Sequence, residues 1–188
     1  MMNPLELVAA TLLLANVWLV ARRSLWNYAF GIAAVSLYAF IFWQARLYAV
    51  FGLQFLFLAL NLYGLVKWRQ AQAESGDVPV LRMTIAEKIG TTAGIAALTA
   101  GVALLLAQAT DAASPWWDSL TTALSLSAQY WQARRKAETW GLWTLVNLVS
   151  VGLYATQALW ATAAVYAVLL GVAVYGWREW NRVATGGQ

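Results

Sequence analysis

Asp118, Thr122, Ser125, Gln129 and Gln132 recur at steps of four, three, four and three residues, a spacing that gathers them on one face of an α-helix. Trp140, Trp143, Asn147, Ser150 and Tyr154 follow at three, four, three and four, and Gln54, Asn61 and Trp68 lie seven apart. Amides, hydroxyls and indoles can hydrogen-bond a ligand and stack on it, but they do not readily move a proton. No histidine and no cysteine occurs in the 188 residues, which removes thiolate chemistry, disulfides, the usual zinc sites and histidine general bases. No nucleophile–base pair, metal-ligand cluster or phosphate loop stands in the sequence. The chemistry within reach is recognition.

The elements that must hold these stripes are apolar. Hydrophobic residues make up 62% of the chain and charged residues 11%, against about 45–50% and about 25% in soluble domains. A soluble fold of this length has too little interior to hide so much apolar surface, so lipid must be the solvent for most of it. A bilayer core of about 30 Å asks for roughly 20 apolar helical residues. Seven such runs stand between polar breaks, at 4–21, 25–44, 47–66, 89–108, 117–133, 140–157 and 160–180. The first lacks a basic segment ahead of it and is followed by Arg22 and Arg23, the pattern of a retained helix rather than a cleaved signal. The expected fold is all-α and integral to the membrane, with seven transmembrane helices.

Lysine and arginine set the expected direction. With the N-terminus outside, eleven of the twelve basic residues fall on the inner side, and only Arg46 falls outside. That asymmetry predicts N-out, C-in, and it assigns the net charge of +4 to a cytoplasmic membrane face rather than to nucleic acid.

One phrase is written twice. Tyr63, Gly64 and Trp68 in "NLYGLVKWRQ" and Tyr175, Gly176 and Trp180 in "AVYGWREWNR" share the pattern Tyr-Gly-x-x-x-Trp at an interval of 112 positions. Weaker echoes pair "VSLY" at 35–38 with "VSVGLY" at 149–154, and Trp26 with Trp140. Helices 1–3 and 5–7 therefore read as parallel three-helix repeats of the SWEET type joined by helix 4, with a site at their interface. The expected division is one membrane domain over 1–188, with a first repeat at 4–68, a cytoplasmic loop at 69–88, a linker helix at 89–108 and a second repeat at 116–180. The bland alternative is that two helices happen to share an aromatic, glycine and basic ending.

A polar stripe through a membrane helix should not face lipid, where unmet hydrogen bonds cost several kcal/mol. For isolated residues such as Ser36 or Thr99, hydrogen bonding between helices is the better reading. Gln54, Asn61, Gln129 and Asn147 together point to the wall of a substrate path. Eleven of the twelve tryptophans fall near an interface, as an aromatic belt requires. Trp143 is the exception, about a turn inside and on the face of Asn147. With Trp140, Tyr38 or Tyr154 it would stack on a flat aromatic ligand and favour a cationic one. No ionisable residue lies at the middle of any span, and this favours facilitated diffusion over proton coupling.

Two long stretches, "NYAFGIAAVSLYAFIFWQARLYAVFGLQFLFLALNLYGLVKW" (27–68) and "WWDSLTTALSLSAQYWQARRKAETWGLWTLVNLVSVGLYATQALW" (116–160), resemble the PnuC family of bacterial vitamin transporters. The motifs that carry the likeness are Gln-x-x-Leu-Tyr, Asn-x-Tyr-Gly-x-x-x-Trp, Trp-Asp-Ser and Trp-x-x-Trp-x-x-x-Asn. The resemblance implies a SWEET-like seven-helix core and uptake of nicotinamide riboside across the bacterial inner membrane, with trapping by a cytoplasmic kinase. It implies no cofactor, no metal and no enzymatic activity, and it implies homo-oligomers, trimers among them. The positions matching the family's polar and aromatic motif residues are Gln54, Asn61, Tyr63, Trp68, Gln129, Trp140, Trp143 and Asn147. Trp143 with a nearby aromatic would hold the pyridinium, and Asn61, Gln129 and Asn147 the carboxamide and ribose. Thiamine is the runner-up substrate, with riboflavin and deoxynucleosides behind it. A membrane sensor or scaffold is the alternative from another class. A transporter needs the stripe on helix 5 reachable by water from both sides, and a scaffold needs it buried.

Overall fold

The computed structural model describes residues 4–109, 115–156 and 160–186. They form seven helices: α1 (Pro4–Ala21), α2 (Trp26–Gln44), α3 (Tyr48–Ser75), α4 (Ile85–Ala109), α5 (Pro115–Ala133), α6 (Thr139–Thr156) and α7 (Trp160–Gly186). The seven expected runs are all present. By length and composition alone, α1 to α4 are apolar enough to cross a membrane among the described residues. Helix α5 holds three Trp, three Ser, two Thr and two Gln, whose polar atoms lower its mean hydropathy.

Two boundaries differ from expectation. The predicted loop at 69–88 begins late, because residues 69–75 continue α3. "RQAQAES" contains good helix formers and no breaker, so the helix ends only at Gly76, in the left-handed region at φ 77° with its N–H on the Gln72 carbonyl. Helix α4 starts before 89 because Thr84 and Glu87 cap it reciprocally. The Thr84 N–H donates to Glu87 and the Glu87 N–H to the Thr84 hydroxyl, at 2.8 and 3.2 Å, a capping box.

Three turns place an arginine, not a glycine, in the left-handed region: Arg23 (φ 57°), Arg46 (φ 60°) and Arg135 (φ 62°). Each ends a helix in the same way. After α1, the Arg23 N–H bonds the Val20 carbonyl and the Ser24 N–H the Leu19 carbonyl. After α5, Arg135 bonds Gln132 and Lys136 bonds Trp131. This is the Schellman pattern, and its side-chain strain is roughly 1–2 kcal/mol per residue. A cation beside the negative helix end offsets part of that.

The helices pack as a ring. In order around it, α1 touches α2, α2 touches α3, α3 touches α5, α5 touches α6, α6 touches α7, and α7 returns to α1. Among the described residues α4 packs against α5 alone, outside the ring. Large apolar side chains such as Leu7, Val8, Phe55, Leu56 and Leu148 are exposed on the outer wall, where lipid replaces water as their solvent.

The repeated phrase has a structural explanation. The Trp68 indole N–H, on α3, donates to the Gln132 carbonyl at the end of α5 at 3.1 Å. The Trp180 indole, on α7, donates to the Val20 and Ala21 carbonyls at the end of α1 at 3.3 and 3.2 Å. With α1–α3 as one group and α5–α7 as the other, each Trp thus caps a helix end of the opposite group. Each Gly leaves room for a ring of its own group: a Cβ at Gly64 would meet the Tyr28 ring, and one at Gly176 the Trp140 ring. Each Tyr stacks outward on the opposite group, Tyr63 on Tyr130 and Tyr175 on Trp18. Every one of these partners keeps the interval of 112 positions. Of the weaker echoes, Trp26 does not pair with Trp140. The partner of Trp140 is Tyr28, and Trp26 is exposed.

Candidate functional site

Where the ends of α1, α3, α5 and α7 meet, four aromatic rings fill the ring of helices. Tyr28 lies edge-on to Trp68 at 5.3 Å, Trp140 edge-on to Trp180 at 5.6 Å, and Trp68 meets Trp180 at 5.9 Å. All four are almost wholly buried. Two of them hold unmet polar atoms, the Tyr28 hydroxyl and the Trp140 indole N–H. The four rings form a plug at the end that carries Arg22, Arg23, Arg134 and Arg135.

A strap seals the plug from beyond. Residues 76–84 cross from α3 to α4 and bind both groups on the way. Arg23 donates to Asp77 at 2.6 Å and to the Val78 carbonyl at 2.8 Å. Leu81 pairs with the α5–α6 turn through two backbone hydrogen bonds, its N–H to Arg135 and its carbonyl from Ala137. Lys136 donates to Glu87 and to the Arg82 carbonyl, at 2.8 and 2.9 Å. Burial alone would raise the Asp77 carboxyl, but the Val78 N–H and the Arg23 guanidinium outweigh it and hold Asp77 below its ordinary value. Burial lowers the Arg135 guanidinium from its ordinary value, against the pull of Glu74 and Tyr28.

Above the plug the interior is polar and uncharged. Asn16, Asn61, Gln129, Gln132, Asn147 and Ser150 are all buried, drawn from α1, α3, α5 and α6. Asn16 donates to the Asn27 carbonyl at 2.7 Å, and Asn61 to the Phe57 carbonyl at 2.9 Å. Both amides close on Gly31: a Cβ there would stand 2.6 Å from the Asn61 Oδ1 and 2.7 Å from the Asn16 Nδ2. Trp143 is half-buried and donates to the Gln132 Oε1 at 3.0 Å. Toward the other end, Tyr154 stacks on Tyr166 at 5.3 Å.

Of the eight residues singled out from sequence, Asn61, Gln129 and Asn147 are buried in this interior, with Trp143 half-buried beside Gln132. Gln54 is half-buried and turns back to the Val50 carbonyl of its own helix. Trp68 and Trp140 belong to the plug. Tyr63 is 37% exposed and lies on the outer stack with Tyr130, apart from the others. Sequence reasoning did not single out Asn16, Gly31 or Tyr28. Asn16 left one trace, a lone amide inside "LLLANVWLV".

The interior can accept and donate hydrogen bonds, stack on a ring and exclude water. Among the described residues no group of His, Cys, Asp or Glu could hold a metal. A separate groove of about 410 Å³ lies between α4 and α5, lined by Gly90, Gly94, Ser127 and Tyr130 among others. It sits outside the ring and contains none of the buried amides, so the ring interior is the stronger candidate.

The profile of the nicotinamide mononucleotide transporter family matches residues 3–182. The chain is 28% identical to the nicotinamide riboside transporter PnuC of Escherichia coli, over 94% of this chain and 84% of that protein. It is 32% identical to the riboflavin/roseoflavin transporter RibM of Streptomyces davaonensis, over 93% and 83%. A crystal structure of the vitamin B3 transporter PnuC superposes with a TM-score of 0.80 at 26% identity, covering 98% of this chain and 83% of that one. A six-helix ring with a seventh helix outside it, an uncharged polar interior and a match over nearly the whole length converge: the chain belongs to the nicotinamide mononucleotide transporter family, as a PnuC-type, multi-pass transporter of the bacterial inner membrane.

Proposed function

We propose that the chain carries nicotinamide riboside down its gradient between the two three-helix groups. The observation that carries this reading is the interior itself: neutral amides and one indole, Trp143, with no Asp, Glu, Lys or Arg among the described buried residues of the helices. A flat pyridinium is attracted by an indole face, and carboxamide and ribose hydroxyls pair with Asn and Gln. In this reading Trp143 stacks on the ring, while Asn61, Gln129 and Asn147, joined by Asn16, hold the polar groups. Gln54 lies farther along the path. Trp68 and Trp140 close the cytoplasmic end, and Tyr63 is part of the frame. The chain runs N-out, C-in, and phosphorylation by a cytoplasmic kinase traps the product. Homo-oligomers are expected.

Riboflavin is the second reading, favoured by the 32% identity to the riboflavin/roseoflavin transporter. The two are separated by equilibrium binding to the purified protein, with nicotinamide riboside, riboflavin and thiamine titrated in parallel and tryptophan fluorescence as the probe. Saturable quenching by the riboside alone is expected. Quenching by riboflavin or thiamine alone moves the substrate and keeps the site. In cells, Asn147→Leu should abolish riboside uptake at unchanged expression, and surviving uptake would remove Asn147 from the site.

A further inference from the structure

The interval of 112 positions separates what the two groups share from what only one of them has. Shared pairs build the frame: Arg23 and Arg135, Tyr28 and Trp140, Gly64 and Gly176, Trp68 and Trp180. The buried bond between the first two helices of each group is also shared, as Asn16 to the Asn27 carbonyl and as Thr139 to the Ala128 carbonyl. Within the same layers other pairs are unlike. Gly31 corresponds to Trp143, and Val20 to Gln132. A ligand without two-fold symmetry can be recognised only where the two halves differ.

Gln132 stands at the centre of that difference. An indole can only donate, so the bond from Trp143 takes the Gln132 side-chain oxygen, at 3.0 Å. The Gln132 backbone carbonyl meanwhile accepts the Trp68 indole of the plug, at 3.1 Å. Gln132 is only 5% exposed; its bond from Trp68 is buried, and its bond from Trp143 is part-buried. The corresponding Val20 keeps the backbone contact, to Trp180, but offers no side-chain acceptor.

We propose that Gln132 is a positioning residue for substrate recognition: it fixes the Trp143 indole in the plane that stacks on the ligand, and anchors that plane to the plug through its own backbone. The inference rests on the riboside reading for the identity of the ligand, not for the bond itself. Substituting the side chain leaves the backbone bond to Trp68 in place, so the positioning role can be removed without breaking the plug.

The test is a double-mutant cycle in the full-length protein. Gln132→Met keeps the volume and loses the acceptor; Gln132→Glu keeps an acceptor oxygen; Trp143→Phe removes the donor. Equilibrium binding of radiolabelled nicotinamide riboside and transport in proteoliposomes give half-saturation and maximal rate. Gln132→Met should weaken half-saturation roughly fivefold, the worth of one neutral hydrogen bond, with maximal rate changed less than twofold. Gln132→Glu should restore most of the loss, and Gln132→Met should add nothing once Trp143 is Phe. Independent, multiplying effects of the two substitutions, or wild-type binding by Gln132→Met, would overturn the proposal. A wild-type protein that binds no riboside would sink the functional reading alone. Gln132 is then judged without ligand by the Trp143 indole N–H resonance, which must move in Gln132→Met and return in Gln132→Glu; an unmoved resonance overturns the positioning role.

Discussion

Gly64 and Gly176 show at the scale of single residues how the plug is built. A Cβ on Gly64 would lie 2.5 Å from the Tyr28 hydroxyl, and one on Gly176 2.5 Å from the Trp140 ring. Those rings are locked among Trp68 and Trp180, so neither can step aside cheaply. Gly64→Ala and Gly176→Ala should each destabilise the protein by about 1–3 kcal/mol, the usual cost of overpacking a tight interior. Thermal unfolding in detergent reads this, and Gly152→Ala, where a Cβ meets nothing within 4 Å, is the control expected to change little. The same scale explains which site residues were legible. Asn61, Gln54 and Trp68 share a face because seven residues make nearly two full turns, whereas Tyr63, two residues past Asn61, points some 200° away. Its place in the repeated phrase drew attention to it, and its partner is the outer ring of Tyr130. Asn16 went unread because one amide in an apolar run has no period.

Among the elements, the strap over 76–84 is the part whose strength should follow pH. Asp77 is held below its ordinary value in the fold, so its contribution is complete above the unfolded carboxylate value, about 3.9. It is lost as pH falls through the lower folded value. Thermal stability should therefore be flat above about pH 5 and fall below about pH 4, with Asp77→Asn removing part of the acid-dependent loss. Because the Asp77 side chain is 63% exposed, the ion pair is screened and the effect is small. Unfolding temperature against pH for the two proteins measures it, and identical acid profiles would show that the strap does not depend on Asp77. The repeat phrase was visible as sequence. That the strap ties Arg23 of one group to Lys136 of the other was not, since the ties join residues 49 to 55 positions apart with no local signature.

At the scale of the whole molecule, the lack of cysteine makes the direction of the chain directly measurable. Single cysteines can be introduced at Arg46, in the α2–α3 turn, and at Glu74, exposed at the far end of α3. With the N-terminus outside, a membrane-impermeant thiol reagent should label Arg46→Cys on intact cells and Glu74→Cys only in inverted vesicles. The reverse pattern would overturn the positive-inside reading. Composition and period by themselves determined that the chain is helical, that it lives in lipid, that it has seven helices, and which faces of α3, α5 and α6 are polar. These follow from local physics, since a bilayer fixes span length and helical geometry fixes which residues share a face. Only the tertiary structure decided that six helices close a ring with α4 outside it, that Trp68 and Trp180 each cap the opposite group, and that Asn16 and Asn61 close on Gly31 while Trp143 leans on Gln132. Those contacts depend on which helix stands beside which, and two stripes of the same period carry no mark saying that they face each other.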